Sequence, residues 1–243
     1  ARLPPLLAFM VRRVGSIGTP RALGLAVAAL GKAEDGGVQR TYLDGLRAGL
    51  AGRRNVPMPA AWPEVFGRLS RSANAEVRNR ATALAVTFGD PRAIALLRGV
   101  LISPKADLPA RRGALAALVE AHDRELPPLL HRLLGEPALR GEALRGLAAF
   151  DHPRTAAVVL AAYPTLSSAE KRDALNTLAS RPAYGKALLD AVASKKVPAA
   201  EVSADVVRQL RNLKDKALDR QVAEVWGIVR ATPADRARTM VHY

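Results

Sequence analysis

The sequence predicts an all-α fold: a right-handed α-α superhelical solenoid built from paired antiparallel helices. Three observations carry that prediction. Five stretches read as variants of one helix-turn-helix unit, the clearest being AEVRNRATALAVTFGDPRAIALLRGVL, Ala75 to Leu101. Hydrophobic residues make up 49% of the 243 but aromatics only 4%, so the core must be built from Leu, Ala and Val, which suit closely packed helix pairs. No β-branched run alternates with period 2, so no sheet is expected. A helix pair of this kind cannot bury its apolar face alone. It needs neighbours, and the core then grows lengthwise.

Each element follows from local signals. Pro4 to Val14 reads as a first helix that ends near Gly15. Thr19-Pro20 starts a second, with Thr as cap and Pro at the first helical position, and Gly31 lies past its end. Val38, Tyr42, Leu43, Leu46 and Leu50 share one face of a third helix. GRRNVPMPAAWP, Gly52 to Pro63, is the one long irregular connection, because Pro57 and Pro59 break any helix there. Trp62 to Ser70 is a short helix before the regular repeats, which begin near Asn74.

In those repeats Asp90, Asp123 and Asp151 occupy matching turn positions, and PRAIALL, ELPPLL and PRTAAVVL follow as second helices. Ala169 to Ser194 is a fourth copy, preceded by the caps Ser167 and Ser168, and Ser203 to Val229 is the last pair. Thr232-Pro233 opens a further helix, with Asp235 near its positive end. The organisation is therefore 1–61, atypical N-terminal helical repeats; 62–231, regular repeats; and 232–243, the start of a helix or linker toward a downstream domain. About twelve to fourteen helices are expected, and Trp62 and Trp226 should pack where the regular stack begins and ends.

The net charge is +15, with 18 basic against 8 acidic residues in 1–121 and 19 against 14 in 122–243. Such an excess suits nucleic acid, anionic lipid or an acidic partner, although Arg-rich coding and solvated helix faces account for it more simply. No Cys is present, which excludes disulfides, thiolate metal sites and Cys nucleophiles within this chain. The longest apolar run falls short of the ~18 residues of a membrane span, so no membrane insertion is expected. The start lacks both an initiator Met and the order of a signal peptide, and the chain reads as a piece of something longer.

Chemical constellations are missing. His122, His131, His152 and His242 include no i, i+4 pair. There is no Gly-rich phosphate loop and no Gly-x-Ser-x-Gly elbow; Gly15, Gly18, Gly31, Gly36 and Gly37 read as helix ends. No catalytic, cofactor-binding or metal-binding residue is therefore assigned, and no enzyme activity is expected.

The candidate interaction residues are basic positions that recur in the first helices: Arg78, Arg80, Arg111, Arg112, Arg140, Lys171 and Arg172. Two uses are open for them. A shared face would give a positive stripe for phosphate or carboxylate. Alternatively, each base bridges to an Asp such as Asp90, Asp123 or Asp151 in an adjacent turn, forming a structural ladder.

The repeats AEVRNRATALAVTFGDPRAIALL and ALRGEALRGLAAFDHPRTAAVVL resemble bacterial HEAT repeats of the phycobilin-lyase type. Leu166 to Ala237 resembles the HEAT segment of large planctomycete and verrucomicrobial multidomain proteins, described as membrane-bound dehydrogenases or haem-binding proteins. In that family a β-propeller precedes the HEAT region and a c-type cytochrome domain with CxxCH follows it. This sequence has neither, so no haem ligand carries over to any residue here. The resemblance implies a scaffold or spacer whose partners are protein domains, in an exported, periplasmic setting. Two other readings compete: a basic HEAT-like nucleic-acid-binding protein similar to the DNA glycosylases for alkylated bases, and a lyase-like enzyme suggested by the repeat subtype alone.

Overall fold

The structure is a computed structural model that describes residues 3–53 and 56–226. Among the described residues there are fourteen α-helices and no strand. The first seven are α1 (Leu3–Ile17), α2 (Pro20–Lys32), α3 (Gly36–Leu50), α4 (Trp62–Leu69), α5 (Ala75–Thr87), α6 (Pro91–Ile102) and α7 (Leu108–Glu120). The remainder are α8 (Leu126–Leu133), α9 (Pro137–Leu147), α10 (Thr155–Ala162), α11 (Ser168–Leu178), α12 (Pro182–Ala193), α13 (Ala204–Asn212) and α14 (Lys216–Trp226). Single 3-10 turns occur at Tyr163–Thr165 and Ala199–Glu201. The helix expected from Thr232, and the last residues of the pair expected to reach Val229, lie outside the described residues.

The chain forms two compact units, Ala1–Asp123 and Arg124–Tyr243. In the first unit α1, α3 and α5 lie side by side as first helices, α2 packs on α4, and α6 packs on α7. In the second unit α9 packs on α11, and α10 and α14 flank α12. Each unit is thus an all-α helical repeat.

Local chemistry sets the helix limits. Thr19, Asp35, Asn74, Asp90, Asp107, Ser167 and Ser203 each accept a backbone N–H of the helix they precede. Ser167 adds a reciprocal capping box with Glu170. Each cap satisfies a donor with no intrahelical partner and contributes about 1 kcal/mol. At the other ends Gly89, His122 and Lys195 take left-handed φ of 66°, 51° and 60°. The residue after each then donates back into the helix: Asp90 N to Ala85 O (2.9 Å), Asp123 N to Leu118 O (3.1 Å) and Lys196 N to Ala191 O (2.9 Å). Asp90 and Asp123 therefore occupy the same place in the same turn, and both are buried, whereas Asp151 is exposed.

Two glycines expected just past helix ends lie inside helices instead, Gly15 in α1 and Gly31 in α2. Gly15 faces Gly49 of α3, and a Cβ placed on Gly15 would lie 3.2 Å from the Gly49 Cα. The absence of side chains here is what lets α1 lie directly on α3.

Leu, Ala and Val fill the core, as the composition demands: Leu23, Leu30, Leu46, Leu84 and Leu101 are fully buried in the first unit, and Leu139, Leu144, Leu147, Leu178 and Leu188 in the second. Each fully buried Leu contributes about 1.5–3 kcal/mol. Trp62 is wholly buried between Phe66, stacked at 5.8 Å, and Phe88, edge-on at 5.0 Å. Trp226 is half-buried in α14.

Candidate functional site

The recurring basic residues occupy one structural position. Arg78, Arg111, Arg140 and Lys171 are each the fourth residue of a first helix, and Gln39 holds the same place in α3. Side chains tilt toward a helix's own N-terminus, so a long donor one turn in reaches the preceding connection. There it meets carbonyls that the previous helix leaves without partners and that carry its negative dipole end. Gln39 Nε2 donates to Ala33 O (2.8 Å). Arg78 Nη1 donates to Ser72 O (2.7 Å) and Ala73 O (2.9 Å). Arg111 Nε donates to Leu101 O (2.8 Å) and Arg140 Nε to Leu134 O (2.6 Å). These donors hold carbonyls of the preceding helix end or turn and tie successive repeats together.

A second set of contacts joins one first helix to the next. In the first unit Arg40 of α3 pairs with Glu76 of α5, and Asp44 of α3 accepts from Arg80 Nε at 2.9 and 3.0 Å. In the second unit Arg140 lies 3.6 Å from Glu170 of α11, and Arg145 pairs with Asp173. Lys171 departs from the carbonyl pattern: its Nζ lies 2.8 Å from Glu201 and 5.1 Å from the centre of the Tyr163 ring. Tyr163 in turn donates to Glu201 at 2.7 Å. Lys171, and then Tyr163, hold the Glu201 carboxyl below the ordinary range, while burial, and then Glu201, push the Tyr163 phenol up.

Arg172 is exposed and makes no ion pair among the described residues. Arg112 is exposed as well. The two buried turn aspartates are held by arginines outside the recurring set. Arg92 donates to Asp90 from Nη2 (2.8 Å) and Nε (3.1 Å), and Arg98 donates to Asp123 from Nε (2.6 Å). Burial alone would raise the Asp90 carboxyl, but the hydrogen bonds from Arg92 outweigh it and bring the carboxyl below its usual value.

Such exposed pairs contribute little individually. A double-mutant cycle on Asp44 and Arg80 should give a coupling of about 0.2–1 kcal/mol, falling as salt rises. Urea denaturation of the two single variants and the double variant measures it. A coupling that does not change with salt would contradict an ordinary surface pair.

One polar cluster was not legible in the sequence. His131 of α8 lies with Nε2 3.0 Å from Thr155 Oγ1, and its ring meets His152 edge-on at 5.0 Å. Burial, then His152 and Arg154, lower the His131 pKa and favour the neutral ring. The Tyr184 hydroxyl accepts the His152 N–H (2.7 Å) and donates toward Phe150 O (3.0 Å), which fixes this turn. Residues 131, 152 and 184 are far apart in sequence, and no spacing signal joins them.

Among the described residues no group of three His, Asp or Glu side chains converges as metal ligands. No described helix is long and apolar enough to cross a membrane. Ala8 and Arg12 of α1, Arg40 and Asp44 of α3, and Arg80 of α5 line an open groove of about 440 Å³. No protein-family model, curated protein or solved structure matches this sequence.

Proposed function

We propose that this chain is a non-enzymatic HEAT-like α-solenoid scaffold, a spacer between a propeller and a c-type cytochrome domain in a larger exported protein. The observation that carries this reading is the use of the recurring bases. Arg78, Arg111 and Arg140 are spent on carbonyls of the preceding turn or helix end, and Arg80 and Lys171 on neighbouring carboxylates. A face whose charges hold the stack together serves geometry rather than chemistry. The exported setting and the two flanking domains rest on the family resemblance of Leu166 to Ala237.

Nucleic-acid binding is the second reading, and the charge of +15 is what favours it. Against it, Trp62, Phe66, Phe88, Tyr163 and Tyr184 are all buried, and the exposed Phe9 is a single ring rather than the row of platforms that stacked bases need. One titration separates the two. The scaffold reading expects duplex DNA to bind only weakly, with affinity fading as salt rises toward 0.15 M (order of magnitude). It also expects the purified chain to carry no stoichiometric haem or metal, by absorbance and elemental analysis. Sub-micromolar binding at that salt, lost on changing the exposed Arg112 and Arg172 to Glu, would put nucleic-acid binding first.

A further inference from the structure

The first helical pair departs from the rest of its unit in two independent ways. First, α1 is apolar on two faces. Val11 is buried, and Leu7 and Val14 pack against the core. On the opposite side Leu6, Phe9, Met10 and Ile17 are exposed by 55%, 70%, 55% and 50%, and Leu25 of α2 by 67%. The α1 residues fall at i, i+3, i+4 and i+11, a single stripe along the helix, and Arg13 lies within it at i+7. Scattered exposed apolar residues need no explanation, but a contiguous stripe of large ones marks a contact surface.

Second, the charges on this pair are one-sided. Residues 3–32 contain Arg12, Arg13, Arg21 and Lys32 and not one Asp or Glu. All four bases are exposed, and none makes an ion pair among the described residues. Elsewhere in the same unit Arg40, Arg80, Arg92 and Arg98 each hold a carboxylate, and although Arg47 and Arg71 hold none among the described residues, only residues 3–32 run so far without a single acid. Whatever covers the α1 face must therefore be apolar and supply negative charge of its own.

We propose that α1, with the adjoining part of α2, docks peripherally on the surface of an anionic lipid bilayer. Phe9, Met10, Leu6 and Ile17 would enter the boundary between headgroups and acyl chains. Arg13 would reach back from among them to a phosphate, and the other exposed bases of the pair add positive charge nearby. A helix with large apolar residues on one stripe and uncompensated arginines beside them has the composition that interfacial docking requires. A fluid bilayer asks only for apolar area and positive charge, which is what this face offers. Among the described residues Arg13 is the one charged side chain within the stripe, which gives a folded acidic partner little directional chemistry to recognise. Leu6, Phe9, Met10 and Ile17 make none of the ladder's contacts, and the proposal does not depend on the scaffold reading.

Co-sedimentation of the full chain with vesicles at physiological salt tests it. Equimolar phosphatidylcholine and phosphatidylglycerol vesicles should bind the chain at least tenfold more tightly than phosphatidylcholine alone. F9S/M10S, which leaves the charge unchanged, should weaken that binding at least tenfold while keeping the wild-type melting temperature, since both side chains are exposed. R13S should weaken it too. Absence of binding to the anionic vesicles overturns the proposal. So does equal binding by F9S/M10S, which would mean adsorption of a basic chain through charge alone. Self-association that F9S/M10S abolishes, or capture of an acidic amphipathic peptide, each without vesicle binding, would assign the face to a second copy or a protein partner instead.

Discussion

Leu147→Asp should abolish cooperative folding of the second unit, and Leu84→Asp should do the same in the first. Both leucines are completely buried, Leu147 at the end of α9 and Leu84 in the last turn of α5. Truncating such a residue costs roughly 2–5 kcal/mol in lost transfer energy and cavity. Placing a carboxylate there, with no cation arranged to meet it, adds several kcal/mol more, of the order found for buried unpaired charges. The combined loss is comparable with the roughly 5–15 kcal/mol by which domains of ordinary size are stable. Thermal melts followed by circular dichroism would check this, and amide exchange would locate the loss in the unit that carries the change. A wild-type melting temperature in both variants would mean that the buried faces of α5 and α9 are wrongly assigned.

Gly49→Ala is expected to destabilise the first unit by about 2 kcal/mol even though it improves helix propensity. In an open helical position the same change is favourable by roughly 1 kcal/mol. At Gly49 the new Cβ would lie 2.7 Å from Ser16 N and 2.8 Å from Gly15 C, and against Arg12 O. All three are backbone atoms of α1, so no side chain can rotate aside, and the two helices must separate. Gly24→Ala in α2 is the matched control, because nothing lies within 4 Å of a Cβ there, and it should be neutral or stabilising. Urea midpoints compare the two, and amide exchange in α1 should rise in Gly49→Ala alone. A Gly49→Ala midpoint at or above wild type would show that α1 does not lie against α3 as described.

Much of the helix pattern was legible because its signals are local. Thr19-Pro20, Asn74, Asp90 and Ser167 each announce a helix start through a bond to a residue two or three positions on. The irregular link before Trp62 was readable from Pro57 and Pro59, whose rings forbid a helix whatever surrounds them. Gly15 and Gly31 misled for a matching reason. Glycine at a helix end and glycine at a helix crossing look identical in sequence, and only the presence of α3 makes Gly15 a contact. The basic positions are legible as a recurrence, while their partners depend on how the helices pack. Arg78, Arg111 and Arg140 each reach a carbonyl of the preceding turn or helix end, because a side chain tilted toward its own N-terminus meets that turn first. Asp90 and Asp123 turned to Arg92 and Arg98, which do not recur in the first helices.

By itself the sequence determined that this chain is all-helical, where most helices begin, and that its core is aliphatic. Periodicity, caps and proline act within a few residues and need no neighbour to be read. Tertiary structure alone decided which helices touch, that glycines seat α1 on α3, and that His131 meets Thr155 and His152. It alone also decided that Phe9 and Met10 face outward while Val11 faces the core. Those outcomes depend on residues tens of positions apart being brought within a few ångströms. A helix with apolar residues on two sides gives no sign in sequence of which side its neighbours will cover.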